Sequence, residues 1–306
     1  MAIEKKNWFL MALQLQGSVA PTIFPRVLLC GGFGFLVSIL YYFKLPITGN
    51  LLDNLVTNVV YNLVLGLLLV FRTNTAYDRF WEGRKSWGVL VVNVRNLARQ
   101  IQVSVQGLEP IDRENKASVM RLFGTFASAT KLQLRQETLN GELEMVTPCQ
   151  FLQLKSVKNP PLKIALWIGD YLQQQHERNY LNNNQLAAMN GLLDQMVEAL
   201  TSCERILETP IPLAYAIYLK RLLLIYGFAL PFQIFDSSGW WTGLVVGIIS
   251  FILFGIEEIG NEIENPFGRN PNDLPLDEIC TTMIENLEDL TKIQEENLGE
   301  VLASQV

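Results

Sequence analysis

The sequence predicts an all-α membrane protein with four membrane-spanning helices and a long water-facing helical region between the second and third. Three observations carry that prediction. Residues 27–43, 54–71 and 237–256 hold no charged side chain, and each run is near the roughly 20 residues that cross a hydrocarbon core as a helix. A fourth stretch, 212–235 (PLAYAIYLKRLLLIYGFALPFQIF), is long enough but carries Lys220 and Arg221 in its middle. From 85 to 209 the chain turns soluble in character, with apolar residues at helical spacing and no competing strand pattern.

Taken in order, residues 1–26 begin MAIEKKNWFLMALQLQGSVAPTIF, too interrupted by polar groups for the apolar core of a signal peptide. They read as an amphipathic lead-in helix. Residues 27–84 hold the first two spans. Tyr41 and Tyr42 close the first, and Trp240 and Trp241 open the last, as interfacial aromatics do. Gly31, Gly32, Gly34, Gly66, Gly227, Gly243, Gly247 and Gly255 allow helices to approach closely in lipid.

The second span ends abruptly: LVLGLLLVF at 63–71 runs into RTNTAYDRFWEGRKSW. Arg72, Asp78, Arg79, Glu82, Arg84 and Lys85 must face protein, water or one another at the membrane boundary. A pore mouth reads this way, and so does a helix emerging into the cytosol. Arg79, Glu82 and Arg84 recur at short intervals, which predicts an interhelical charge network.

Within 85–209, helical periodicity covers 114–136, 160–175 and 184–207, punctuated by Asn159, Pro160 and Pro161. In 210–259, which hold the last two spans, Lys220 and Arg221 favour an interior or cavity-facing helix over a lipid-exposed one. Residues 260–306 combine an Asn-, Pro- and Gly-rich turn with a final acidic amphipathic helix to about Leu298, for which Asp277 is the expected cap.

Basic residues set the orientation. Lys5, Lys6 and Arg26 precede the first span and Arg72, Arg79, Arg84, Lys85 and Arg95 follow the core of the second, whereas the loops at 44–53 and 233–239 hold one Lys and none. The positive-inside rule then puts both termini and the central region in the cytosol or its equivalent.

The chemistry of the chain narrows the function classes. Cys30, Cys149, Cys203 and Cys280 are scattered without metal-ligand spacing and read as reduced packing residues. His176, the only histidine, lies in the polar QQQHERN stretch and reads as a surface residue. No nucleophile constellation or phosphate loop is present, so the chain is not read as an enzyme and no cofactor or metal site is expected. A net charge of −6 argues against a nucleic-acid partner. The internal repeats of many transporters are missing.

Three motifs, in order and well spaced, resemble the bestrophin family: FRTNTAYDRFWEGRKSW after the second span, IPLAY opening the third, and NPFG shortly after the fourth. The resemblance is nearest in character to the bacterial and plant voltage-dependent chloride channel branch. It implies a homopentamer of all-helical protomers, each with four spans and a cytosolic helical domain, around one axial ion pathway.

Carried over by position, the family's hydrophobic neck falls on Leu63, Leu67 and Phe71. Steps of four residues drift only about 40° each around an α-helix, so a tilted helix can keep all three toward the axis. Five copies would stack apolar rings able to gate by dewetting. Val59, Val64, Leu68 and Leu69 offer equally apolar positions, so a lipid-facing or packing stripe stays open.

By the same resemblance a second, cytosolic constriction maps to Asn184 in YLNNNQL, where Asn182 to Asn184 also read simply as a helix-starting loop. The calcium clasp of the animal members maps to Glu262, Asn265, Asn270 and Asp273, where Arg269 and Pro271 replace consecutive acids and leave few of the six to eight oxygens calcium takes. No calcium gating is expected.

The permeant ions implied are chloride and other small anions, in a lipid bilayer of the bacterial inner membrane or thylakoid type. A cation-selective pore of the same family is the alternative, and a carrier or a non-conducting scaffold is the reading from other classes.

Overall fold

The structure is a computed structural model that describes residues 8, 10, 13–43, 56–105, 109–139, 143 and 146–303, with side chains to 292. Residues 1–7, 9, 11 and 12 of the expected lead-in helix and all of the 44–53 loop fall outside the described residues; residues 13–19 are turn and irregular backbone rather than helix, with Gly17 at a positive φ of 78° that a helix does not hold. Among those described, the helices are α1 (Ala20–Tyr42), α2 (Val59–Ser104), α3 (Pro110–Leu134), α4 (Pro148–Ser156), α5 (Pro160–Glu177), α6 (Asn183–Glu208), α7 (Leu213–Ser238), α8 (Thr242–Glu264) and α9 (Leu276–Ala303). A 3-10 turn, Gly239–Trp241, joins α7 to α8, and no strand occurs among the described residues. Three stretches are long and apolar enough to cross a membrane: Ala20–Tyr42, part of Val59–Ser104, and Leu213–Glu264. The last is two helices, α7 and α8, reversed at Gly239, whose positive φ of 52° suits a residue without a Cβ.

The chain divides into two compact units. The first is formed by residues 1–80 and 210–273. Here α1 and α8 pack antiparallel, with Ile23 opposite Gly255, Gly31 opposite Gly247 and Gly34 opposite Gly243. On its other side α1 meets α7: Cys30 lies against Gly227, Phe33 packs edge-on against Phe228, and Tyr41 stacks on Phe235. The start of α2 runs opposite to α7, because Tyr61 donates its hydroxyl to the Leu222 carbonyl and Tyr215 donates to that of Leu68. Ile23, Leu65, Leu69, Leu219, Leu223 and Phe254 form the core between them. Beyond α8, Asn272 donates to the Gly17 carbonyl and to Glu262, so the turn that follows NPFG folds back on the segment preceding α1.

The second unit comprises residues 81–209 and 274–306. Its centre is α3, buried almost without interruption from Val119 to Leu134 around Phe123 and Phe126. The periodic segments 114–136, 160–175 and 184–207 correspond to α3, α5 and α6. Their starts follow local chemistry: Pro110 opens α3, Asn159 accepts from the Leu162 amide at the start of α5, and Asn182 forms a reciprocal capping box with Gln185 at the start of α6.

Two details differ from the sequence reading. Helix α4 was not anticipated, although Thr147, Pro148 and Gln150 make a capping box that marks its start. Asp277 does not cap α9; it lies inside the first turn and accepts from Lys131 at 2.8 Å and Arg135 at 2.9 Å. A carboxylate in a first turn also suits the helix dipole, and here the basic end of α3 draws the side chain across.

Candidate functional site

Helix α2 presents two different faces within the first unit. Leu65, Leu69, Arg72 and Ala76 are buried, while Leu63, Leu67 and Phe71 are 69%, 50% and 53% exposed on the protomer. The three stand in a row about 6 Å apart along the axis. Of the competing apolar positions, Leu69 is 4% exposed and Leu68 is half-buried against the core, whereas Val59 and Val64 are outward. The outward row is available to a lumen, to lipid or to another copy of the chain.

Directly behind the row sits a buried charge cluster. Arg72 is 3% exposed, and its Nη2 donates to Glu264 Oε2 at 2.6 Å and to Asn261 Oδ1 at 2.7 Å. The other carboxylate oxygen of Glu264 accepts the Ile211 amide at 2.8 Å, just before α7 begins. Arg79 donates Nε–H to the Glu264 carbonyl at 3.2 Å. Two turns back from Glu264 on α8, buried Glu257 accepts from Asn261 at 2.8 Å and has Arg26 at 3.6 Å and Lys220 at 3.9 Å. Arg26 also pairs with Glu258 at 2.8 Å. Lys220 and Arg221 are exposed on the protomer, and Lys220 reaches inward to the buried Glu257. Charges this deep persist because they are paired.

The other predicted residues separate. Glu82 pairs with Arg205 at 2.5 Å, with both side chains substantially exposed. Arg84 is exposed and makes no ion pair among the described residues. Arg79 and Glu82 thus engage different partners, and Arg84 pairs with neither. Asn184 is exposed in the first turn of α6, two residues after the capping Asn182. Near NPFG, Glu262 accepts from Asn272, Asp273 accepts from the Asn270 amide, and Asn265 accepts from the Phe267 amide. Among the described residues no group of three His, Cys, Asp or Glu side chains converges.

Two titratable groups on α3 are perturbed. A hydrogen bond from Arg178 holds Asp112 below the usual carboxylate range, aided by the Tyr180 hydroxyl. Burial pushes the Lys116 ammonium down to about 8, although it donates to the carbonyls of Gln102 and Val105 at the end of α2.

Residues 1–289 match the sequence profile of the family described as Bacterial/Fungal Bestrophin protein. The chain belongs to the bestrophin family. Among curated bestrophin relatives, a voltage-dependent anion channel-forming protein of Nostoc sp. is 57% identical over 305 residues, covering 98% of both chains. One of Synechocystis sp. is 51% identical over 291 residues, covering 94% of this chain and 92% of the other. Among solved structures, a bacterial bestrophin homologue from Klebsiella pneumoniae superposes with a TM-score of 0.77 at 27% identity, over 88% of this chain and 98% of that one. Membership and the long apolar helices make this bestrophin an integral membrane protein.

Sequence reasoning missed the Arg72–Glu264 and Glu257 clusters. Arg72 and Glu264 are separated by 192 positions, and the signal that could have found them is chemical: charges close to apolar spans require partners.

Proposed function

We propose that the protein is an anion channel, conducting chloride and other small anions through the axis of a homopentamer. Each protomer crosses the bilayer four times, with α1, the first part of α2, α7 and α8 as the spans and both termini cytosolic. Leu63, Leu67 and Phe71 supply the stacked apolar rings of the neck, and Asn184 a polar ring at the cytosolic constriction. The membrane is the bacterial inner membrane or a thylakoid-type one.

The observation that carries this reading is the outward row on α2. Three large apolar side chains project from a helix whose opposite face is fixed by a buried core and a buried ion pair. An apolar constriction can gate by dewetting and leaves selection between ion signs to the rest of the path. The names of the Nostoc and Synechocystis relatives support anions over cations.

The deciding experiment is bilayer recording of the purified protein in asymmetric salt. A reversal potential near the chloride equilibrium value is expected; one near the sodium or potassium value would assign the pore to cations. Mass measurement of the detergent-solubilised protein is expected to give a pentamer.

A further inference from the structure

We propose that Arg72 and Glu264 are a positioning pair for the constriction: together they fix the rotation of α2 about its own axis, and with it the heading of Phe71. The inference rests on the neck assignment above. Phe71 and Arg72 are consecutive, so their side chains leave the helix about 100° apart. One is 53% exposed and the other 3%. Any roll of α2 that released Arg72 would carry Phe71 off its present heading by the same angle.

Several contacts oppose that roll. Arg72 is held by Glu264 and Asn261 through one nitrogen, at 2.6 Å and 2.7 Å. Its stem lies along α8 at Gly260, where a Cβ would sit 3.2 Å from Arg72 Cγ; a glycine there leaves the stem room. Seven residues on, about 10 Å along the helix, Arg79 binds the backbone carbonyl of the same Glu264. Residue 264 therefore grips α2 at two points on one stripe. Its remaining carboxylate oxygen takes the Ile211 amide, so one residue ties α2, α8 and the entry to α7.

At this level α2 leans on such external support. The carbonyls of Leu68 and Leu69, which its own ladder offers to the amides of Arg72 and Thr73, also accept the hydroxyls of Tyr215 at 2.6 Å and Thr73 at 2.9 Å. A carbonyl oxygen has two lone pairs, so these bonds add to the ladder, and the Tyr215 bond ties α2 to α7 at the same level as the Arg72 pair.

The test uses the full-length protein reconstituted in vesicles, with anion flux measured for Arg72→Gln, Phe71→Ala and the double variant. Arg72→Gln is expected to raise flux several-fold when Phe71 is present and to add nothing in the Phe71→Ala background, because the side chain it orients is gone. Arg72→Lys, which keeps the charge on a shorter side chain without the planar fork, should fall between. An effect of equal size with and without Phe71, or wild-type flux from assembled Arg72→Gln protein, overturns the proposal. Unchanged flux in Phe71→Ala overturns the neck assignment, and the proposal with it.

If Arg72→Gln does not assemble, Phe71→Cys in a Cys149→Ser background is labelled with a membrane-impermeant thiol reagent. A several-fold difference in labelling rate between Arg72 and Arg72→Lys chains supports the pair's role. Equal rates overturn it.

Discussion

Gly34 and Gly243 bring α1 and α8 into backbone contact: a Cβ on Gly34 would lie 2.9 Å from the Gly243 Cα. The reverse direction is tighter still, since a Cβ on Gly243 would collide with the Phe35 ring. Small residues at such crossings are how helices gain packing in lipid, where the tails are as apolar as the side chains. Gly243→Ala should therefore overpack the crossing, at a cost of about 1–3 kcal/mol. Combining it with Phe35→Leu should recover part of the loss, seen as a partial return of the thermal unfolding midpoint in detergent. Equal midpoints for wild type and Gly243→Ala would show that the crossing is loose.

The charged residues past the apolar run should differ in consequence. Arg79 is half-buried and bonded to a backbone carbonyl, and leaving a buried carbonyl without its donor costs about 1–3 kcal/mol. The Glu82–Arg205 pair is exposed, and exposed pairs contribute about 0.2–1 kcal/mol. Arg79→Ala should lower the yield of assembled protein more than Glu82→Gln, Arg84→Ala or Lys85→Ala. Equal, wild-type yields across the four would make Arg79 an ordinary solvated charge.

Two groups on α3 predict stability that rises with pH in two separate windows. The native value of Asp112 is depressed, so its stabilising contribution is complete above the ordinary carboxylate range and disappears as pH falls through the lower native value. Asp112→Asn should flatten the acid limb of a plot of unfolding midpoint against pH. Lys116 is also depressed, to about 8 from 10.5, but it is a base. Between those values the unfolded chain binds more protons than the native one, so stability relative to Lys116→Met should rise with pH across that window. A difference between the two chains that stays flat from neutral pH to about 10 would mean that Lys116 is solvated.

How legible this molecule was depended on whether a feature was local. The starts of α5 and α6 are written in a few adjacent residues, Asn159 before two prolines and Asn182 three before Gln185, and the apolar period carried the rest. The glycines predicted close approach, and Gly31, Gly34, Gly243 and Gly247 provide it. What escaped was non-local or continuous. Helix α2 runs unbroken from Val59 to Ser104 because the charges after Phe71 do not interrupt a helix; they change what its faces meet. Asp277 reads as a cap from its neighbours, yet Lys131 and Arg135, far back in the chain, decide where its carboxylate goes. The outward row Leu63, Leu67, Phe71 came from family position, and composition alone could not separate it from Leu68 and Leu69.

That separation supplies the test of the neck. Changing Leu63, Leu67 and Phe71 together to Ala removes side chains that are half or more exposed on the protomer, so the fold of each copy loses little. If they form the apolar rings, the constriction widens and wets, and conductance or open probability should rise with the assembly intact. The comparison triple, Val64, Leu68 and Leu69 to Ala, should behave differently. Leu69 is 4% exposed and Leu68 packs against the core, and truncating a buried leucine costs about 2–5 kcal/mol through the cavity it leaves. That variant should assemble poorly without gaining current. Val70, 54% exposed beside Phe71, gives a gentler control, since Val70→Ala removes an outward apolar group from a neighbouring heading. Assembled Val70→Ala channels carrying more current than the Leu63, Leu67 and Phe71 variant would turn the pore-facing side of α2 toward Val70.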